Sequence, residues 1–351
     1  MPSAIERRIV FGAFRPDLED ALASAVAAHR HERGPLAPAV LLVGSNLLGL
    51  YLTRLLARRL GAVGGLRVMT FLDLARTLAR AEIDREGLRA IPVAGERLLA
   101  RVLAKALPDT SYFASIARTE GFEEAILATL RDVRDAGLTP GDLRRCFPKG
   151  HRKARDLADV HERYEEKLKS ARLIDRPGLM ARALAVLERD AAGTSTLQDG
   201  QPFAGMTRLF VYGFYDFTWL QENLLLRLAR ILPTAIFFPY RETPAFEFAK
   251  NARARLLDAG FGSAPPEPPA AAAPMPSVAG AGVTLERLQR NLFLPLAHAG
   301  EDAPEGVEPA PLDSSLRIVA APGEAREVLE AVRTVAEMTR RGVPLEEIGV
   351  L

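Results

Sequence analysis

The sequence predicts an α/β fold in which a doubly wound parallel sheet carries an inserted all-helical domain and is followed by the start of a second α/β domain. Three observations lead there. Continuous apolar runs at 8–12, 39–44, 66–71, 209–212 and 235–240 alternate with helical spacing, and strands joined by helices run parallel. From 79 to 199 the spacing is helical throughout. A stretch rich in Pro, Ala and Gly at 261–315, broken by one short helix around 285–296, precedes a strand at 316–321, a helix and a second strand from 347. The expected organisation is a sheet domain in two segments, 1–78 and 200–260, a helical domain at 79–199, a linker at 261–315 and a second domain opening at 316–351.

A chain of 351 residues is long enough for more than one core. Its 46 Lys and Arg barely exceed its 44 Asp and Glu, so any basic surface must be local. The single cysteine, Cys146, excludes an intramolecular disulfide framework and a cysteine-only metal site within these residues. No N-terminal leader and no apolar run long enough for a bilayer is present, so a cytoplasmic protein without a membrane partner is expected.

Taken in order, the strand at 8–12 leads through a loop into a helix reaching about His29, which is the frame of a phosphate-binding loop. With Gly12 as the first motif glycine, Asp17 replaces the second, Leu18 the lysine and Glu19 the hydroxyl residue. Two carboxylates would then face a triphosphate of like charge. The preferred reading is an ordinary strand-to-helix turn with Pro16 in the first helical turn. The run at 39–44 leads to Ser45, Asn46 and a helix through Leu60 closed by Gly61, and the run at 66–71 carries Thr70 at its end. Hydroxyl and amide side chains at strand ends serve as helix caps or as contacts to a nucleic-acid backbone, and both readings stay open.

In the helical segment Leu98, Leu99, Val102, Leu103 and Leu107 make one apolar stripe. Ile126, Leu127, Leu130 and Val133 make another, ended by Gly137 and Pro140. Leu157, Val160, His161, Tyr164 and Leu168 make a third, and Asp175-Arg176-Pro177 opens a fourth helix. His161 lies on an apolar stripe and reads as a buried, hydrogen-bonded histidine. Arg144, Arg145, Lys149, Arg152, Lys153 and Arg155 form the densest basic cluster, beside Phe147. It suits either a nucleic-acid backbone with a stacked base or a solvated loop.

The stretch at 209–221 is an apolar run, then Tyr212-Gly213-Phe214-Tyr215-Asp216-Phe217-Thr218, then a helix for which Thr218 and Gln221 form a capping box. It resembles the second motif of superfamily 1 DNA helicases of the UvrD type. Tyr212 stands where those proteins hold magnesium with an Asp, and Gly213 where a Glu activates water, while Asp216 and Gln221 keep their places. Neither a phenol nor a hydrogen atom can do that chemistry. The next strand ends in Pro239-Tyr240-Arg241, where an active helicase has Gly-Asp and a phosphate-sensing Gln. Ser45-Asn46 and Thr70-Phe71 with Leu74-Ala75 resemble the helicase loops that grip single-stranded DNA.

With Leu173-Ile174-Asp175-Arg176, Ala321-Pro322-Gly323-Glu324-Ala325-Arg326-Glu327 and Gly342-Val343-Pro344 in the same order, the chain resembles the AddB family of bacterial helicase-nuclease subunits. The resemblance implies a RecA-like fold and a non-catalytic, DNA-guiding role in processing double-strand breaks, beside an active AddA-like helicase-nuclease partner. It implies no ATP or magnesium on this chain. The family's PD-(D/E)XK nuclease, with its metal and iron-sulfur cluster, is expected only in a C-terminal part beyond these residues. Two other classes remain: an interaction scaffold that never touches DNA, and a small-molecule α/β enzyme. The lack of paired carboxylates or a Ser-His or Cys-His arrangement argues against the enzyme.

Overall fold

The structure, a computed structural model, describes residues 5–119, 121–148, 150–191, 203, 205–242, 244–264, 285 and 313–350. The chain divides into two compact units, Met1–Ala273 and Pro274–Leu351. In the first unit the strands are β1 (Arg7–Gly12), β2 (Ala39–Val43), β3 (Leu66–Met69), β4 (Arg89–Ala90), β5 (Leu173–Ile174), β6 (Arg208–Tyr212), β7 (Thr234–Pro239) and β8 (Gly262–Ala264). Six of them form one parallel sheet in the order β3-β2-β6-β7-β1-β8, and β4 pairs with β5 in a separate two-residue ladder.

Side chains alternate between two cores, as the period of a strand requires. Ile9, Val40, Leu42, Leu209, Val211, Ile236 and Phe238 enter one core with α3 (Phe71–Glu86), α8 (Arg176–Ala191), α9 (Trp219–Leu228) and α10 (Lys250–Asp258). Val10, Ala39, Leu41, Val43, Phe210, Tyr212, Ala235 and Phe237 enter the other with α1 (Glu19–Arg33) and α2 (Asn46–Leu60). The parallel sheet therefore has helices on both faces, and this is why its strands read as unbroken apolar runs.

A third core joins α4 (Val93–Lys105), α5 (Phe122–Asp135) and α7 (Arg152–Ser170), with Leu103, Phe113, Phe122, Ile126, Leu127, Leu130, Val160, Tyr164 and Leu168 inside. The short α6 (Pro140–Cys146) packs beside α7. Helix α3 runs unbroken through residue 78, and α8 packs into the core of the sheet. One stripe is met only in part. On α4 the buried residues are Glu96, Ala100, Leu103 and Ala104, and Leu99 and Leu107 pack against the same core, while Leu98 and Val102 are 61% and 46% exposed. Two apolar rows lie side by side on this helix, and the row with the small alanines permits the closer approach of neighbours.

Three further expectations are corrected. Pro16 is not in the first turn of α1; residues 14–18 form a separate wide turn, closed by the Leu18 N–H on the Ala13 carbonyl at 3.0 Å, and α1 starts at Glu19. The segment at 316–320 in the second unit is no strand, because nothing among the described residues pairs with it, and Ile318 is 90% exposed. The segment from 345 likewise makes one short turn and an unpaired extension rather than a strand. What the second unit does contain is α11 (Glu324–Arg340), as expected, though none of its residues is buried. Most of the linker expected at 261–315, and its helix after 285, lie outside the described residues.

Candidate functional site

Strand β7 lies between β1 and β6, so the loops leaving β1 and β6 flank its carboxyl end. In open α/β sheets this edge is where ligands bind. Here the β1 loop folds back on itself. The Asp17 carboxylate accepts the Ala13 N–H at 2.9 Å, in the role a phosphate oxygen takes in an open loop. A β-carbon on Gly12 would fall 2.7 Å from the Asp17 β-carbon, so the Asp17 side chain itself fills the space beside Gly12. Leu18 is fully buried in the core under α1.

Glu19 is buried as well and is held by three side chains. The Tyr51 hydroxyl donates to it at 2.6 Å, the Arg15 Nε at 3.0 Å, and the Arg59 guanidinium lies at 3.7 Å. Arg59 also pairs with Asp20. Burial, reinforced by the hydrogen bond to Glu19, pushes the Tyr51 phenol above its ordinary range. For Arg15 burial works toward a lower value, but its interactions with Tyr51 and Glu19 outweigh it and hold the guanidinium charged.

Across from this loop, Tyr212 is 1% exposed and donates its hydroxyl to the Phe14 carbonyl at 3.2 Å. Burial first, and nearby Glu19 second, push this phenol well above its usual range, so it stays neutral. Gly213 has φ +80°, and a β-carbon there would meet Leu48 at 3.2 Å and Phe14 at 3.3 Å. A Glu at this position would be strained and crowded.

The remaining motif residues do local work. The Asp216 carboxylate accepts the N–H of Phe217 at 2.8 Å and lies 3.7 Å from Arg255. Gln221 completes the expected capping box, accepting the Thr218 N–H at 3.1 Å while its own N–H donates to the Thr218 hydroxyl at 3.3 Å. Gly12, Asp17, Leu18, Glu19, Tyr212 and Gly213 therefore gather at one strand-end region, whereas Asp216 and Gln221 are engaged beside it.

Ser45 caps α2 by accepting the Leu48 N–H at 3.2 Å, and Thr70 caps α3 in a reciprocal box with Asp73. Asn46 opens α2 and is exposed. In the basic segment, Arg144 is paired with Asp159 and Glu162, Arg145 with Asp142 and Arg155 with Asp156, while Arg152 donates to the Thr110 carbonyl. Lys153 is exposed, and Lys149 lies outside the described residues. Much of the positive charge read along the sequence is thus matched by carboxylates from the same helical unit. Surface pairs of this kind add little to stability, but they lower the local potential available to a polyanion.

Sequence reasoning missed a set of aromatic side chains on the same edge of the sheet. Tyr215, Trp219 and Phe248 are 45%, 50% and 57% exposed, with Tyr215 and Phe248 edge to face at 5.3 Å between ring centres. Their signal was the aromatic density of 210–219 and 246–248, which reads equally well as core. Exposed rings on a strand-end surface suit stacking against unpaired bases.

On the helical side, Arg134 forms two hydrogen bonds to Asp175, at 2.9 and 3.0 Å, and also pairs with Glu165. His161 is fully buried, with its Nε2 3.3 Å from Glu165, as the apolar stripe implied. Among the described residues no group of three or more His, Cys, Asp or Glu is placed to hold a metal ion, and no helix is long and apolar enough to cross a membrane. Compared with known proteins, the chain matches no family model and no curated sequence.

Proposed function

We propose that this chain is a helicase-like, non-catalytic module of an AddB-type subunit, with a RecA-like sheet domain and an inserted helical domain, that guides a single DNA strand in the processing of double-strand breaks. The observation that carries the reading is the closed strand-end site. The frame of a nucleotide loop is kept while Asp17 takes the loop N–H, Tyr212 takes the place of a metal ligand and Gly213 leaves no base for water. A chain of this kind works in the cytoplasm beside an AddA-like partner that supplies the ATP-driven motion. The strand would cross the surface bearing Ser45, Asn46 and Thr70 together with Tyr215, Trp219 and Phe248.

The test is binding of a fluorescent single-stranded oligonucleotide at two salt concentrations, with ATP hydrolysis assayed in parallel. Binding that weakens with salt, falls roughly tenfold on each of Tyr215→Ala and Phe248→Ala, and occurs without ATP turnover supports the reading. No binding by the chain, alone or with its partner, would favour the scaffold reading, toward which the paired arginines of the 144–155 segment point. ATP turnover would overturn the non-catalytic assignment.

A further inference from the structure

A cleft of about 660 Å³ opens where the end of α3, the end of α7, β5 and the start of α8 meet. Clefts of roughly 300–1,000 Å³ are the size that holds small molecules. Leu88, Leu168 and Leu173 give it apolar walls. The carboxylates that line it are all engaged: Glu86 with Arg182, Glu165 and Asp175 with Arg134, and Asp84 with Arg80 at 3.7 Å. Three cations of the lining are not. Arg85, Lys169 and Arg172 are exposed and make no ion pair among the described residues.

Arg85 and Lys169 stand in the last turns of α3 and α7, where a cation answers the helix dipole and needs no ligand to explain it. Arg172 has no such reason. It lies beyond the end of α7 with φ +52°, and among the described residues it alone, glycines apart, has a left-handed backbone. At a helix end that conformation ordinarily falls to glycine, as it does after α3, where Gly87 has φ +64°. A strained arginine in the wall of a cleft points to a task for its side chain. Its Nη1 lies 3.8 Å from where a β-carbon on Gly87 would stand, so the guanidinium spans from the end of α7 to the end of α3.

We propose that this cleft is a binding site for a small organic anion, its charged group held by Arg85, Lys169 and Arg172 and its apolar body against Leu88, Leu168 and Leu173. The sign of the ligand follows from the pairing: with each carboxylate of the lining beside an arginine, the charge left to meet a ligand is positive. The apolar walls favour a body with hydrocarbon surface over a bare inorganic ion. The cleft shares no residue with the strand-end site, and the proposal does not rest on the DNA reading. Failure of either leaves the other standing.

The experiment is fluorescence titration of the full chain with two dyes of one body, anilinonaphthalene sulfonate and the uncharged N-phenylnaphthylamine. Exposed rings elsewhere take up both dyes through the shared body, so the ratio of affinities isolates the anionic group. The expected result is a preference for the sulfonate of about tenfold in the wild type, largely lost in Arg172→Gly and reduced in Lys169→Gln. Because glycine relieves the left-handed backbone, Arg172→Gly should lose the preference with its Tm unchanged or higher. Arg58→Gln, which removes an exposed charge on α2 away from the cleft, should keep it. A wild type without the preference, or one that persists in Arg172→Gly, would overturn the proposal. So would a loss in Arg172→Gly accompanied by a fall in Tm, which would make the arginine a structural residue.

Discussion

The indole of Trp219 lies against the backbone of Gly137: a β-carbon built there would fall 2.4 Å from Cε3 of the ring. Gly137 has φ +68° just beyond α5, and Trp219 is the first residue of α9, so this contact joins the helical segment to the sheet edge. Gly137→Ala is expected to cost about 2–3 kcal/mol, from the left-handed backbone and the displaced ring together. The chain has one tryptophan, so a shift in its emission, alongside a lower urea midpoint, checks both halves of the prediction.

Introducing at 212 and 213 the acidic residues that active helicases carry is expected to fail. Tyr212→Asp places an unpaired carboxylate at a position 1% exposed, which is expected to destabilise the chain by about 3–5 kcal/mol. Gly213→Glu adds backbone strain at φ +80°. The double variant should unfold at lower denaturant and show no ATP turnover; measurable turnover in a folded double variant would contradict the account of the closed site.

Arg134 compensates Asp175, whose side chain is 2% exposed. Arg134→Met is expected to cost about 3–5 kcal/mol, because a buried carboxylate is left without its partner. Arg134→Met with Asp175→Asn should recover part of the loss. Urea unfolding of the two singles and the double, read as a cycle, measures the coupling.

His29 is 4% exposed, with its Nε2 3.2 Å from the Thr207 hydroxyl. Burial, then the positive charge of Arg208, lower its pKa from 6.5, against an opposing pull from Glu32. The unfolded chain therefore binds the proton more readily. The contribution of this group to stability is complete above its unfolded value of 6.5 and is lost as pH falls through the lower folded value. Between about pH 7.5 and about pH 5 the wild-type urea midpoint should fall, and His29→Gln should flatten the fall. An unchanged slope in the variant would exclude His29 as its source.

The parts of the molecule that could be read from sequence are those set by neighbours in the chain. Val40 to Val43 and Ala235 to Phe238 announce central strands by composition, and Ser45, Thr70 and Thr218 announce the helices that follow by their caps. What needed a third dimension was not legible. Leu98 and Leu103 are equally apolar, and only the packing of α4 on α5 and α7 decides which is buried. The residues at 316–320 have strand composition, but a strand exists only through a partner. At the candidate site the residues Tyr212 and Gly213 were readable one by one as unable to hold a metal or activate water. That Arg144, Arg145 and Arg155 are paired, and that Tyr215, Trp219 and Phe248 are exposed, depends on contacts between distant segments.

The two-faced sheet has a consequence for how the chain finds its register. Where one face of a strand meets water, sliding by one residue turns polar groups inward and is penalised at once. In β2, β6 and β7 almost every side chain is apolar and both faces are covered, so the same slip exchanges one hydrocarbon surface for another. Polarity offers these strands no proofreading. Alignment must come from shape and from the fixed points at their ends, and Ser45, Thr218 and the Tyr212 hydroxyl on the Phe14 carbonyl are such points. Removing a cap beyond a strand should therefore broaden the ensemble of pairings as well as shorten a helix.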